Sequence, residues 1–176
     1  MKSKLFQGLN RVLLLALLAA TLLVATPAIV AAQAETTPPW RIPVDSARTK
    51  VNVVVGDNAL VTDLAITSRQ QQLGLGYRNT LGPDEAMLFV SDEASPRTFW
   101  MKGMRFCLDI IWIEGGEIVA AAENTCPDPA GTEDIDRLRV SSPSDVTFVL
   151  EVNAGWLDEH GYGVGTQVTI PELPAA

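Results

Sequence analysis

Six polar side chains set beside apolar runs are the groups in this chain that could do chemistry: Arg78, Lys102, Arg105, Asp109, Glu151 and Asn153. Asp109 stands between Leu108 and Ile110, and Glu151 between Leu150 and Val152. A carboxylate flanked in this way is either on a solvent face or buried with a partner, because an unpaired buried charge is very costly. Three readings follow. The acids pair with Arg78, Lys102 or nearby amides and only hold the fold. Alternatively, Arg78 and Lys102 bind an anionic or hydroxylated ligand at a cleft mouth, with Trp100 as a stacking face and Asp109, Glu151 and Asn153 beside it. In the third, Asp109 and Glu151 form a hydrolytic carboxylate pair, which requires them to face each other roughly 5–10 Å apart across an open cleft.

Other chemistries lack their residues. The chain has one histidine, His160, at the end of a short helical pattern, and two cysteines, too few for a structural zinc set. No GxSxG nucleophile motif is present. The strings GLGYR and GYGVG lack the Lys-Ser/Thr of a phosphate loop. The acidic loop CPDPAGTEDID (126–136) does not have calcium-loop spacing and reads as solvated. We therefore expect no metal and no cofactor, and assign no catalytic residue.

The elements that must position these groups centre on FWMKGMRFCLDIIWIEGGEIV (99–119), a hairpin turning at Gly115-Gly116. Its middle strand, 107–113, is apolar on both faces except at Asp109, so it belongs inside a sheet. VNVVV (51–55) and 60–66 make a first hairpin. Thr67 and Gln70 are spaced as a capping box opening a short helix over 68–75. AMLFV (86–90), VTFVLEV (146–152) and 167–170 read as further strands, with 137–140 as a weaker one, and Asn153 as the N-cap of a second short helix. The result is an all-β fold, a compact β-barrel or jelly-roll-like sandwich with two short helices.

Residues 1–34 read as a signal peptide: Lys2, Lys4 and Arg11 precede an apolar run, and Ala32-Gln33-Ala34 has a small-x-small cleavage pattern. If the segment is not cleaved, residues 12–32 would anchor the chain in a membrane. Residues 35–50 form a Pro-rich extended linker, 51–171 a single β-domain and 172–176 a tail. Cleavage would remove three of 13 Lys+Arg and none of 21 Asp+Glu, leaving 10 − 21 = −11. Such a balance argues against nucleic acid as a partner. Two cysteines in an exported chain suggest a disulfide, Cys107–Cys126. A plain two-residue turn places Cys107 opposite Asn124 and Cys126 a diagonal step away, so a bond requires a bulge or strand end there.

Read in order, GLGYR (74–78), AMLFV (86–90), FWMK (99–102), LDIIWI (108–113), VLEVNAG (149–155) and GYGVGTQV (161–168) resemble domain-of-unknown-function family 192. The resemblance covers about residues 51–170 and implies a compact β-barrel or jelly-roll sandwich, exported or membrane-attached, with no established activity. The chain departs from the family pattern at Gly76, Ala86 and, most consequentially, Gly103-Met104, where relatives typically carry Asn-Thr. The expectation is an exported binding or accessory module for a small polar or anionic ligand, such as a saccharide or cell-envelope component. The alternatives are the Asp109/Glu151 hydrolase and a protein–protein module with an apolar patch near Trp40, Trp112 or Trp156.

Overall fold

A computed structural model describes residues 41–174. The leader expected over 1–34, the linker up to Trp40 and the last two tail residues lie outside them. Within 41–174 the elements are α1 (Ile42–Ser46), β1 (Lys50–Val55), β2 (Asn58–Ala65), α2 (Ser68–Leu73), β3 (Glu85–Ser95), β4 (Thr98–Trp100), β5 (Leu108–Glu114), β6 (Glu117–Thr125), β7 (Arg139–Ser141), β8 (Val146–Asn153), α3 (Trp156–His160) and β9 (Val168–Thr169). The fold is all-β and barrel-like. Seven strands form one curled sheet in the order β6-β5-β8-β3-β2-β1-β9, and β4 pairs with β7 in a separate ribbon. All its pairings are antiparallel except β2 with β3.

The sheet meets itself at one end. The Ile118 amide donates to the Thr166 carbonyl (2.9 Å), Gly165 to Ile118 (2.8 Å) and Val168 to Gly116 (2.8 Å). The Gly115-Gly116 turn is thus both a hairpin tip and the seam against β9.

Two apolar cores result, one on each face. Val53, Leu60, Leu64, Leu88, Ile111, Ile113, Leu150 and Val152 fill the inside of the curl, with Trp156 and Leu157 of α3 packed on them. Met87, Phe89, Leu108, Ile110, Trp112 and Val149 point to the other face, beneath Leu75 and Met101. This double burial explains the unbroken apolar runs of β3 and β5, since a strand covered on both faces has no polar side to alternate with.

Several expectations need correction. Ser68–Leu73 is helical and has the full capping box, the Gln70 amide donating to Thr67 Oγ1 (3.3 Å) and the Thr67 amide to Gln70 Oε1 (3.0 Å). There are, however, three short helices among the described residues, because 42–46 is α1 rather than extended linker; Pro43 in the first turn starts it without losing a bond. Residues 98–101 do not join the central hairpin: β4 instead pairs with β7, Phe99 opposite Val140. Asn153 ends β8 and does not cap α3, whose N-cap is Gly155.

The central hairpin turns at Gly115-Gly116, with Glu114 opposite Glu117. Two irregularities then shift the register, so that Ile110 faces Ala122 and Leu108 faces Thr125. Continuing that last step puts Cys107 opposite Cys126, and the two are bonded, with Cα atoms 4.1 Å apart.

Candidate functional site

The two acids singled out from the sequence lie on neighbouring strands but on opposite faces. In the β5–β8 pairing, Asp109 is opposite Val152 and Ile110 is opposite Glu151. Paired residues share a face and successive residues alternate. Asp109 therefore lies on the inner side with Val152, and Glu151 on the outer side with Ile110 and with Met87 of β3. The two cannot flank one bond, and the facing-carboxylate geometry of the hydrolase reading is not formed.

Asp109 is fully buried and its oxygens are occupied. Oδ1 accepts from the amides of Asn124 (2.8 Å) and Gly155 (3.1 Å), and Oδ2 accepts from Leu157 (3.1 Å). The last two are orphan donors at the start of α3, whose own N-cap, Gly155, has no side chain to satisfy them. Asp109 is a cap supplied from another strand. Asn153, at the end of the same strand as Glu151, also serves the fold: its Nδ2 donates to the carbonyls of Gly82 (2.9 Å) and Leu81 (3.3 Å).

Glu151 is different. It is buried, yet its Oε2 has no hydrogen-bond partner among the described residues. Burial pushes its carboxyl up to about 8, against the positive charges of Arg48 and Arg78, so that the neutral acid prevails at pH 7. It lines a narrow hollow of about 40 Å3 whose walls include Gly74, Leu75, Gly76, Phe89 and Met104. Four of the hollow's other lining residues, Gln72, Leu73, Trp100 and Lys102, also line a larger cleft of about 480 Å3, together with Arg69 and Tyr77.

The mouth of this cleft is built from α2, the loop after it and β4. Trp100 is 39% exposed, the Lys102 ammonium lies 5.1 Å from its ring centroid and the Arg139 guanidinium 5.4 Å. Lys102 also pairs with Asp134, which bonds Arg137 Nε at 3.0 Å. Hydrogen bonds from Lys102 and Arg137 hold the Asp134 carboxyl below its ordinary value. The acidic loop thus reaches over to the cleft through Asp134 rather than being wholly solvated. Tyr77 has a positive φ of 65°, and its amide donates to the Gly103 carbonyl (2.6 Å). Gly103 has φ +73°, and a Cβ there would come within 2.8 Å of the Tyr77 ring. Glycine at this position lets the ring lie over the turn.

Behind the loop sits an arginine cluster that only the folded chain assembles. Arg78 bonds Asp63 (2.7 Å) and Asp45 (3.0 Å), and is not a lining residue of the cleft. Arg41 donates to the carbonyls of Gly76 and Gly74, the latter at 2.9 Å; Arg48 donates to Leu64 (3.2 Å), Gln70 (3.1 Å) and Gly74 (3.3 Å). Burial opposes the charge on Asp45, but hydrogen bonds from Arg78 and Arg41 and their charges outweigh it and leave its pKa lowered. Burial lowers the pKa of Arg41 and of Arg48, while bonds to Asp63 and Asp45 leave that of Arg78 raised despite its burial. These cations fix the backbone that forms the wall over Glu151.

Of the six residues expected at a ligand site, Trp100, Lys102 and Glu151 line one narrow hollow, and the first two also line the adjoining cleft. The structure places Arg78 behind that cleft, and Asp109 and Asn153 in structural bonding. Arg69, Gln72, Leu73 and Tyr77 complete the lining and were not foreseen, although GLGYR marked the right loop. Trp112 and Trp156 are core residues. Among the described residues, no group of three or more His, Cys, Asp or Glu is placed to hold a metal, and no helix is long and apolar enough to cross a membrane.

A small barrel-like sheet with a short capped helix and a glycine-bounded loop over one face defines the class. The chain belongs to the family DUF192, described as Uncharacterized ACR, which matches residues 49–170. A protein of unknown function from Novosphingobium aromaticivorans DSM 12444 has a similar structure, with TM-score 0.62 and 28% identity, over 69% of this chain and 85% of that one. A protein from Sinorhizobium meliloti 1021, provisionally named a transcription regulator, superposes with TM-score 0.60 and 30% identity, over 70% of this chain and 93% of that one. No curated protein matches the sequence.

Proposed function

We propose that the protein is an exported binding or accessory module whose cleft takes a small anionic, hydroxylated ligand of the saccharide or cell-envelope kind. One observation carries this reading. On a chain of net charge −8, the cleft lining holds Arg69, Lys102, Trp100 and Tyr77 and no acidic residue, and the acid nearest its mouth, Asp134, is paired with Lys102. Cations select the anionic group, exposed aromatic rings offer flat apolar faces, and the glutamine amide of Gln72 supplies directional bonds. Export is supported by the leader-like N-terminus and by the Cys107–Cys126 bond, which persists in oxidising compartments.

The test is a thermal-shift and calorimetric comparison of glucose 6-phosphate, glucose and inorganic phosphate. The expected result is a larger shift with the phosphosugar than with either part, lost in Trp100→Ala and Lys102→Ala. No shift with any of the three would remove the reading. Mass spectrometry of the periplasmic or secreted fraction tests export: a mature chain starting at residue 35 is expected, and a full-length cytoplasmic product would overturn it.

A further inference from the structure

Glu151 is a strand residue in the middle of an otherwise apolar face, opposite Met87 on one side and Ile110 on the other. Nothing in the folding of that face needs an acid there. A buried polar atom without a partner costs about 1–3 kcal/mol, and Oε2 has none among the described residues. The nearby cations do not supply one: Arg48 is spent on the carbonyls of Leu64, Gln70 and Gly74 and on Asp45, and Arg78 on Asp45 and Asp63. What the carboxyl does face is the narrow hollow, which shares its upper walls with the cleft.

We infer that Glu151 reads one hydroxyl of the cleft's ligand, an inference that rests on the binding role proposed above. The hollow's size and surroundings select that group. At about 40 Å3 it admits a hydroxyl or hydroxymethyl arm and no ring. Apolar walls at Leu75, Phe89 and Met104 offer an ionic head no solvation. The charged groups around the acid are Arg48 before β1, Arg78 after α2 and Lys102 at the mouth with its partner Asp134, together with Asp63, directly beyond Met87 in the register row, and Asp45 between the arginines. This field repels an ammonium. A neutral acid both donates and accepts, and so does a hydroxyl. The ring then remains at Trp100, and the anionic group at Lys102 and Arg69. Loss of the proton removes the donor, so binding should weaken as pH rises through about 8, the value to which burial raises this carboxyl.

Two measurements test this separately from the binding role. In the ligand-free protein, carbon-detected carboxyl NMR should show one resonance with a midpoint about 8 that is missing from Glu151→Gln; a midpoint in the ordinary range, about 4–5, would overturn the inference. With glucose 6-phosphate, wild type and Glu151→Gln should bind alike near pH 7. By pH 9 the wild type should lose about tenfold, as expected for one proton titrating midway, and the Gln variant should not. Glu151→Leu, folded by circular dichroism, should lose at least about tenfold at pH 7. If glucose 6-phosphate binds wild type and Glu151→Leu equally, the cleft binds but Glu151 reads nothing. If it binds neither while the NMR midpoint is still high, the binding role fails and this inference fails with it.

Discussion

Asp109 and Glu151 are two acids on paired strands, one residue out of register, each buried and each flanked by aliphatic residues in the sequence. One face of the sheet gives its acid three amide donors; the other gives its acid an unpartnered oxygen and a hollow. Burial alone therefore does not distinguish a structural carboxyl from a candidate functional one. The accounting of donors does. Asp109 replaces a missing helix cap, whereas Glu151 has an unfilled bonding capacity that a group from outside the fold can fill.

The contrast is most directly broken by Asp109→Ala. It leaves three amides without an acceptor, that of Leu157 buried and those of Asn124 and Gly155 part-buried, and a loss of about 2–4 kcal/mol in denaturant unfolding is expected. A loss under about 1 kcal/mol would put Asp109 and Glu151 in the same class. Next is the Cys107/Cys126 double alanine, expected to cost about 2–4 kcal/mol by releasing the hairpin end beside Asp109. It should leave the Glu151 titration where it was.

Glu151→Gln sharpens the other side. Its folded pKa is raised, so the native state holds a proton that the unfolded state gives up near pH 4–5. The stability this group contributes is complete below that range and falls as pH rises to about 8. Glu151→Gln should flatten that fall and be more stable than wild type at pH 9, by on the order of 1–3 kcal/mol. Asp45 works with the opposite sign. Its lowered pKa gives stability that is present above the unfolded value and lost as pH falls below about 4. A pH scan of wild type against Glu151→Gln separates the two, because the acid limb should be common to both proteins. The smallest effect is expected from Asp134→Ala, which frees Lys102 from a solvent-exposed pair. Glucose 6-phosphate should then bind a few-fold more tightly by calorimetry.

Much of the frame was legible because local rules and global packing agree. The Thr67–Gln70 capping box, the apolar run of β3 and the glycine turn at 115–116 each depend on residues close in sequence. The site was only half legible. That Asp109 and Glu151 face opposite ways depends on the pairing of β5 with β8, which neither strand encodes alone. The alignment of Cys107 with Cys126 needs two register irregularities that leave no mark in residue type. Arg41 and Arg48 looked like linker because their partners, the carbonyls of Gly74 and Gly76, are far along the chain and are backbone groups that any sequence offers. Trp100 and Lys102 were recognisable by chemistry, whereas Arg69, Gln72 and Leu73 became lining only through the position of α2.

The seam at Gly116–Ile118 and Gly165–Val168 has a kinetic consequence. Val55 pairs with Val168, near opposite ends of the described chain, and β6 meets the same segment. Closing so long a loop is slow, and fold completion depends on non-local contacts. The sheet therefore stays open until the segment around Val168 is in place. A stop codon placed before Thr166 should yield a protein with two bare strand edges, prone to pair with its own copies.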